Sequence, residues 1–223
     1  MNTIENYIHT KQINLNTQVM IETCDYMMSH IQKVWGEEEM TYSGQSTMTT
    51  GLYSYYNLLL YPYGQLYELY REIVTLFKEV AEKDNVDLEK NPYYIQCWLN
   101  FYRKGEFIDW HGHWNHVNKE IPPYHGFYCV TGEGSKTTYK LGHAKEWIDI
   151  PTIENQIVIS KSTSDMHRTW PWEGDKPRIT IAFDIVSRSQ ITGSGARGEK
   201  YPSVSCGAHQ ISDNHWIPIN NGK

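Results

Sequence analysis

Apolar residues recur along the first third of the chain at the spacing of a helix. From Asn16, the positions Met20, Cys24, Met27, Ile31 and Val34 advance by alternating steps of four and three, which lines one face of an α-helix. Asn16 can cap its start and Gly36 can end it, so a helix is predicted over 17–35. The segment Thr41 to Tyr63 is rich in Thr, Ser, Gly and Tyr without a period, and reads as loop with a short extended piece. Leu66, Leu69, Ile73, Leu76 and Val80 then repeat the helical spacing, with Arg71, Glu72, Lys78 and Glu79 between them. A second amphipathic helix is predicted over 65–83.

After Asn91-Pro92 the period shortens to two. Between Tyr94 and Tyr102, Ile95, Cys97, Leu99 and Phe101 alternate with Gln96, Trp98, Asn100 and Tyr102, which predicts a strand with one apolar and one polar-aromatic face. Shorter strand-like runs follow at 107–111, 126–130, 137–141, 147–150, 156–160 and 179–186, separated by turn signals such as Thr131-Gly132-Glu133-Gly134. Many short strands at close spacing predict a mainly β fold, a sandwich or jelly roll, packed against the N-terminal helices. The expected division is a helical segment over 1–90, a β core over 91–187, and a glycine-rich connector with a C-terminal arm over 188–223. No internal repeat is visible.

Composition narrows the class. With 39% apolar and 21% charged residues, the chain is globular rather than disordered. No apolar run approaches the roughly 18 residues of a membrane helix, and Met1 to Thr10 lacks the apolar core of a secretory signal. A net charge of −6 argues against broad wrapping of nucleic acid, which needs a basic field. Cys24, Cys97, Cys129 and Cys206 lie far apart without a C-x-x-C pair, so neither a zinc knuckle nor a disulfide framework is expected, and a reducing, cytoplasmic location (host cytoplasm for a viral protein) fits best. Seventeen tyrosines and eight tryptophans are expected to fill the β core and its rim rather than to form a stacking platform.

The candidate chemistry lies in the histidines. Half of the ten fall between residues 111 and 143. His111 and His113, at i and i+2, emerge on one face if the strand begun at Phe107 continues through them. His167 follows the strand at 156–160, and an antiparallel roll can bring it to the same mouth, where three imidazoles can hold a divalent metal with positions left open. Arg178 and Thr180 stand at i and i+2 on the last strand, opposite Ile179, Ile181 and Phe183. An inward guanidinium with a hydroxyl beside it makes a carboxylate receptor. The alternative is a surface arginine paired with Asp184 or Glu173, and two half-exposed strand histidines.

Gly105 ahead of His111, the H-x-H, the Gly126-Phe127-Tyr128-Cys129-Val130 strand, a distal histidine and R-x-T beyond it form an ordered set. In that order the chain resembles, over about residues 94–186, the iron(II)- and 2-oxoglutarate-dependent oxygenases, nearest their prolyl-hydroxylase-like bacterial and phage branch. The resemblance implies a double-stranded β-helix (cupin-like jelly roll) that binds Fe(II) and 2-oxoglutarate and uses molecular oxygen to hydroxylate a small-molecule or peptidyl substrate. It implies His111 and His167 as metal ligands, Arg178 and Thr180 as the holders of the distal carboxylate of 2-oxoglutarate, and Tyr128 as a further donor to it. Asn100 and Tyr102 would line the same pocket.

One position departs from the family pattern. His113 stands where the family has Asp or Glu, leaving the metal site one unit more positive. Asp109 is a weaker substitute for it. Asn115 and His116 lie close enough in sequence to support the ligands, whereas His125, His143, His209 and His215 match no motif position. Trp110, Trp114, Trp170 and Trp172 flank the ligand histidines and form either a substrate rim or ordinary packing. Two other classes stay open: a cupin-like three-histidine metal protein that does not use 2-oxoglutarate, and a metal-free jelly-roll binding module.

Overall fold

The computed structural model describes residues 7–35, 48–113, 121–141, 147–162, 165–191 and 216–219. The described residues form three α-helices and nine strands. The elements are β1 (Ile8–Gln12), α1 (Thr17–Trp35), α2 (Met48–Gly51), α3 (Gly64–Lys83), β2 (Tyr93–Tyr102), β3 (Tyr124–Thr131), β4 (Lys136–Lys140), β5 (Trp147–Pro151), β6 (Gln156–Lys161), β7 (Met166–Thr169), β8 (Arg178–Ser187) and β9 (Ile217–Pro218). They form a six-stranded sheet in the order β1-β6-β3-β8-β2-β9 and a three-stranded sheet in the order β5-β4-β7, with every pairing antiparallel.

Both long helices run where their apolar spacing predicts. Their buried stripes, Met20, Cys24, Met27 and Ile31 on α1 and Leu66, Leu69, Ile73, Leu76 and Val80 on α3, join one core with the odd-numbered face of β2 and with Ile181, Phe183 and Ile185 of β8. Asn16 caps α1 as expected, its Oδ1 accepting from the Val19 N–H at 3.2 Å. The sheet is tight under this layer: a side chain at Gly126 would place Cβ 2.1 Å from the Val158 carbonyl oxygen and 2.5 Å from the Phe183 ring. Only glycine fits there.

Four features differ from the sequence reading. Residues 48–63 hold a short helix and two 3-10 turns rather than an extended piece. The strand β1 was not predicted, because its alternation is short and polar; it pairs with β6 through Ile8↔Ser160 to Gln12↔Gln156. The polar-aromatic face of β2 is as buried as its apolar face, since Gln96, Asn100 and Tyr102 are all enclosed. Lastly, 107–111 is not a regular strand. Ile108 bonds Thr169 and His111 bonds His167 in a mutual pair, so three steps on one side oppose two on the other, a bulge that breaks the ladder. Near the C-terminus, β9 pairs with β2 through Ile217 and Ile95.

No described helix is long and apolar enough to cross a membrane. Cys24, Cys97 and Cys129 are buried free thiols.

Candidate metal and cosubstrate site

The face of the large sheet turned away from the helices closes against the small sheet, and a cavity lies between them. One wall is the ten-residue pairing of β2 with β8, where Tyr102 opposes Arg178 and Asn100 opposes Thr180. Even-numbered side chains of both strands point inward. The opposite wall carries His167 on β7, beside Tyr139 of β4, and His111 on the bulged segment. His113 completes the group.

The three predicted ligands converge. Ring centroids of His111 and His167 are 4.2 Å apart, those of His111 and His113 5.3 Å, and those of His113 and His167 5.1 Å. One ligand atom from each lies within 4.8 Å of the others. His111 Nδ1 donates to the Asp109 carbonyl at 2.8 Å, leaving Nε2 for a metal. Asp109 therefore acts through its main chain; its carboxylate is exposed and accepts from the Trp110 N–H. Burial, with His113 beside it, pulls the His111 pKa down to about 4, which keeps the imidazole neutral and its lone pair available.

The missing carboxylate is not absent from the site. Asp184, 2% exposed, accepts from His113 Nδ1 at 2.7 Å. Burial alone would lower the His113 pKa, but the Asp184 charge and hydrogen bond override it and raise it. A carboxylate behind a ligating imidazole fixes its ring and increases its basicity, and here it restores the negative charge that the H-x-H removes. Sequence reading placed Asp184 only as an alternative partner of Arg178.

Arg178 is 2% exposed. Its guanidinium lies 5.0 Å from the Tyr102 ring and Nη2 donates to Thr137 Oγ1 at 3.2 Å. Among the described residues no carboxylate lies within ion-pair distance of it, and Nε has no hydrogen-bond partner. Burial lowers its pKa. Neither carboxylate suggested for a surface ion pair is present: Asp184 serves His113. Thr180 Oγ1 accepts from Asn100 Nδ2 at 3.3 Å, and Asn100 Oδ1 accepts from Thr50 Oγ1 at 2.7 Å. Asn100, Tyr102, Arg178 and Thr180 all line the cavity.

Two expectations are corrected. Tyr128 pairs with Ile181, so its side chain leaves the opposite face of the sheet and donates to Asn155 Oδ1 at 2.6 Å; the parity of β3 keeps it from the cavity. Of the tryptophans that flank the ligand histidines, the described ones, Trp110, Trp170 and Trp172, do not line the cavity. Trp110 and Arg168 alternate with His111 and His167 and emerge outside, where the Arg168 guanidinium stacks over Trp110, Trp147 and Trp170 at 4.9, 5.5 and 3.7 Å. Trp172 covers Gly174. Trp114, Asn115, His116, His143, Cys206, His209 and His215 lie outside the described residues. Among the described residues the tryptophan that does line the cavity is Trp98, stacked on His113 at 5.9 Å.

His125, assigned no role from sequence, belongs to the cluster. Its ring is stacked on His113 at 4.6 Å and on His167 at 4.8 Å, and its Nδ1 lies 2.6 Å from Ser162 Oγ. Beginning β3 at Tyr124 instead of Gly126 would have placed His125 and Phe127 on one face by simple alternation. Asp165, two residues before His167, lies beside it, with its pKa pushed up to about 6 by burial.

The fold has relatives of known structure. The chain superposes with a TM-score of 0.56 on the non-heme alpha ketoglutarate dependent epimerase SnoN from nogalamycin biosynthesis, at 8% identity over 99% of this chain and 94% of that one. The chain shares its fold with this alpha ketoglutarate dependent enzyme. A prolyl hydroxylase from Trichoplax adhaerens, solved with a hypoxia inducible factor peptide, gives a TM-score of 0.52 at 11% identity, covering 86% of this chain and 90% of that one. AviO1 from Streptomyces viridochromogenes Tue57 gives 0.53 at 12% identity, covering 82% and 90%. No protein-family model and no curated protein matches the sequence.

Proposed function

We propose that the chain is an iron(II)- and 2-oxoglutarate-dependent oxygenase that hydroxylates a small-molecule or peptidyl substrate. The observation that carries this reading is Arg178: a guanidinium buried on the cavity wall, without a carboxylate among the described residues. A buried cation is expensive unless an anion joins it, and a dicarboxylate cosubstrate supplies one. A three-histidine metal protein without 2-oxoglutarate leaves this arginine without a purpose.

The residues present fit the metal as well. His111, His113 and His167 would hold it: imidazoles suit iron(II), and Asp184 offsets the charge. Bound there, iron(II) would supply open positions at which a 2-oxo acid and molecular oxygen, the oxidant, react so that an unactivated carbon is hydroxylated. The chain supplies the rest. Arg178 and Thr180 bind the far carboxylate and so fix the cosubstrate's length and direction; Asn100, tied to Thr50, holds the Thr180 hydroxyl in place; Tyr102 and Trp98 exclude water. The strand order and the His111–His167 bridge support a double-stranded β-helix, with residues 1–90 as its buttress, 91–187 as its catalytic core and 188–223 as connector and arm.

Anaerobic titration with iron(II) and then 2-oxoglutarate, followed by the weak visible charge-transfer band of the chelate, tests the reading. Loss of a buried charge-assisted hydrogen bond costs roughly 1.5 to 3 kcal/mol. Arg178→Ala is therefore expected to weaken 2-oxoglutarate binding by at least about tenfold with iron affinity nearly unchanged. An unchanged 2-oxoglutarate affinity would overturn it.

A further inference from the structure

Beneath the three-histidine group lies a second set of ligands. His125, Asp165 and His167 are all buried, at 1%, 2% and 8% exposure, and one ligand atom from each lies within 4.8 Å of the others. Asp165 and His167 stand at i and i+2, the spacing that puts two side chains on one face, and β3 presents His125 across from them.

The hydrogen bonding of these residues is incomplete in a consistent way. His125 Nε2, Asp165 Oδ1 and His167 Nδ1 are each buried without a hydrogen-bond partner among the described residues. One such atom in a native interior is unusual; three on neighbouring side chains mark a place for a shared partner. A direct ion pair does not remove the deficit, because His125 Nε2 and Asp165 Oδ2 are 3.4 Å apart without the alignment of a hydrogen bond. The remaining atoms are held from behind: His125 Nδ1 is 2.6 Å from Ser162 Oγ, and Asp165 Oδ2 accepts from Ser160 Oγ at 3.3 Å. Such outer hydrogen bonds orient metal ligands.

We propose that His125, Asp165 and His167 form a second divalent-metal position, an alternative to the His111, His113 and His167 position rather than an addition to it. Both sets draw on His167. One imidazole serves two ions only by losing both ring protons, so the chain holds one ion that takes either place. Two imidazoles with one carboxylate suit iron(II), manganese(II) or cobalt(II). The inner position thereby offers the carboxylate ligand that H-x-H lacks. It rests on buried ligand atoms alone and does not depend on the proposed oxygenase reaction.

The test uses cobalt(II) alone, without 2-oxoglutarate, in anaerobic equilibrium dialysis of the full chain with visible absorption of the bound ion. His111→Gln with His113→Gln removes two outer ligands. This double variant is expected to retain about one cobalt per chain. Adding Asp165→Asn or His125→Gln is then expected to weaken binding by at least about 100-fold, since loss of even a supporting partner costs 10- to 100-fold. A natively folded double variant that binds no cobalt overturns the proposal. So does one whose affinity is indifferent to Asp165→Asn, in which case Asp165 and His125 are only an ion pair. Should the double variant fail to fold, His113→Gln alone is titrated: retained cobalt that Asp165→Asn releases supports the inner position, and cobalt binding that Asp165→Asn leaves unchanged overturns it. Because 2-oxoglutarate is absent throughout, failure of the oxygenase reading leaves this outcome intact, and the converse holds too.

Discussion

The two walls of the cavity are built differently. The proposed carboxylate receptor sits on β2 and β8, ten paired residues each with no shift in register, backed by α1 and α3. The histidines sit on short or bulged chain: His111 is an isolated bridge, His113 follows it, and His167 lies on a four-residue strand. A long ladder with a packed back face holds a side chain through many mutually supporting contacts. A bulge re-aims one residue at small cost. The difference places the proposed cosubstrate contacts on a fixed frame and the proposed metal ligands on segments in which a one-residue change alters the donor set.

That contrast is sharpest under substitutions on either wall. Phe183→Ala, behind the regular wall and fully buried, should destabilise the fold by roughly 3 to 5 kcal/mol; chemical denaturation measures it, and a loss below about 1 kcal/mol would remove the idea of a rigid frame. His167→Ala comes next. It belongs to both ligand sets, so divalent-metal affinity should fall by at least about 100-fold in equilibrium dialysis, and near-parent affinity would place the metal elsewhere.

Smaller effects refine the picture. Thr180→Val removes one neutral donor and keeps the shape, a change of about 0.5 to 1.5 kcal/mol. It should weaken 2-oxoglutarate several-fold in calorimetric titration and leave the metal untouched, so a larger effect on metal than on 2-oxoglutarate would blur the separation of the walls. Trp170→Ala loses an outer-face stack worth about 0.5 to 1 kcal/mol and should change neither metal nor 2-oxoglutarate affinity by as much as twofold. A clear change in either would bring the outer tryptophans back into the site.

Much of this architecture was legible before any coordinates. The helix at Thr17–Trp35 and the strands β2 and β8 follow from apolar spacing because each has a continuous buried face, and burial demands a period. The i and i+2 spacing of Arg178 with Thr180, and of Asn100 with Tyr102, put these four side chains on the cavity side of their strands for the same reason. Alternation is a local property, and two positions apart on a strand is a short distance in any fold.

What alternation alone left undecided was which face is which and what lies across the gap. Tyr128 is one residue out of phase with the cavity, and its motif position gave no sign of that until β3 was paired with β8. Alternation can give His125, Asp165 and Asp184 a face of their strands, but nothing in their own neighbourhoods says that they meet. They become a cluster only when β3, β7, β8 and the bulged segment meet, bringing together groups far apart in the chain. Local periodicity determined the elements and the direction of their side chains; the packing of one sheet on the other decided that four histidines and two carboxylates share one buried space, because contacts across a cavity depend on long-range pairing that no local spacing encodes.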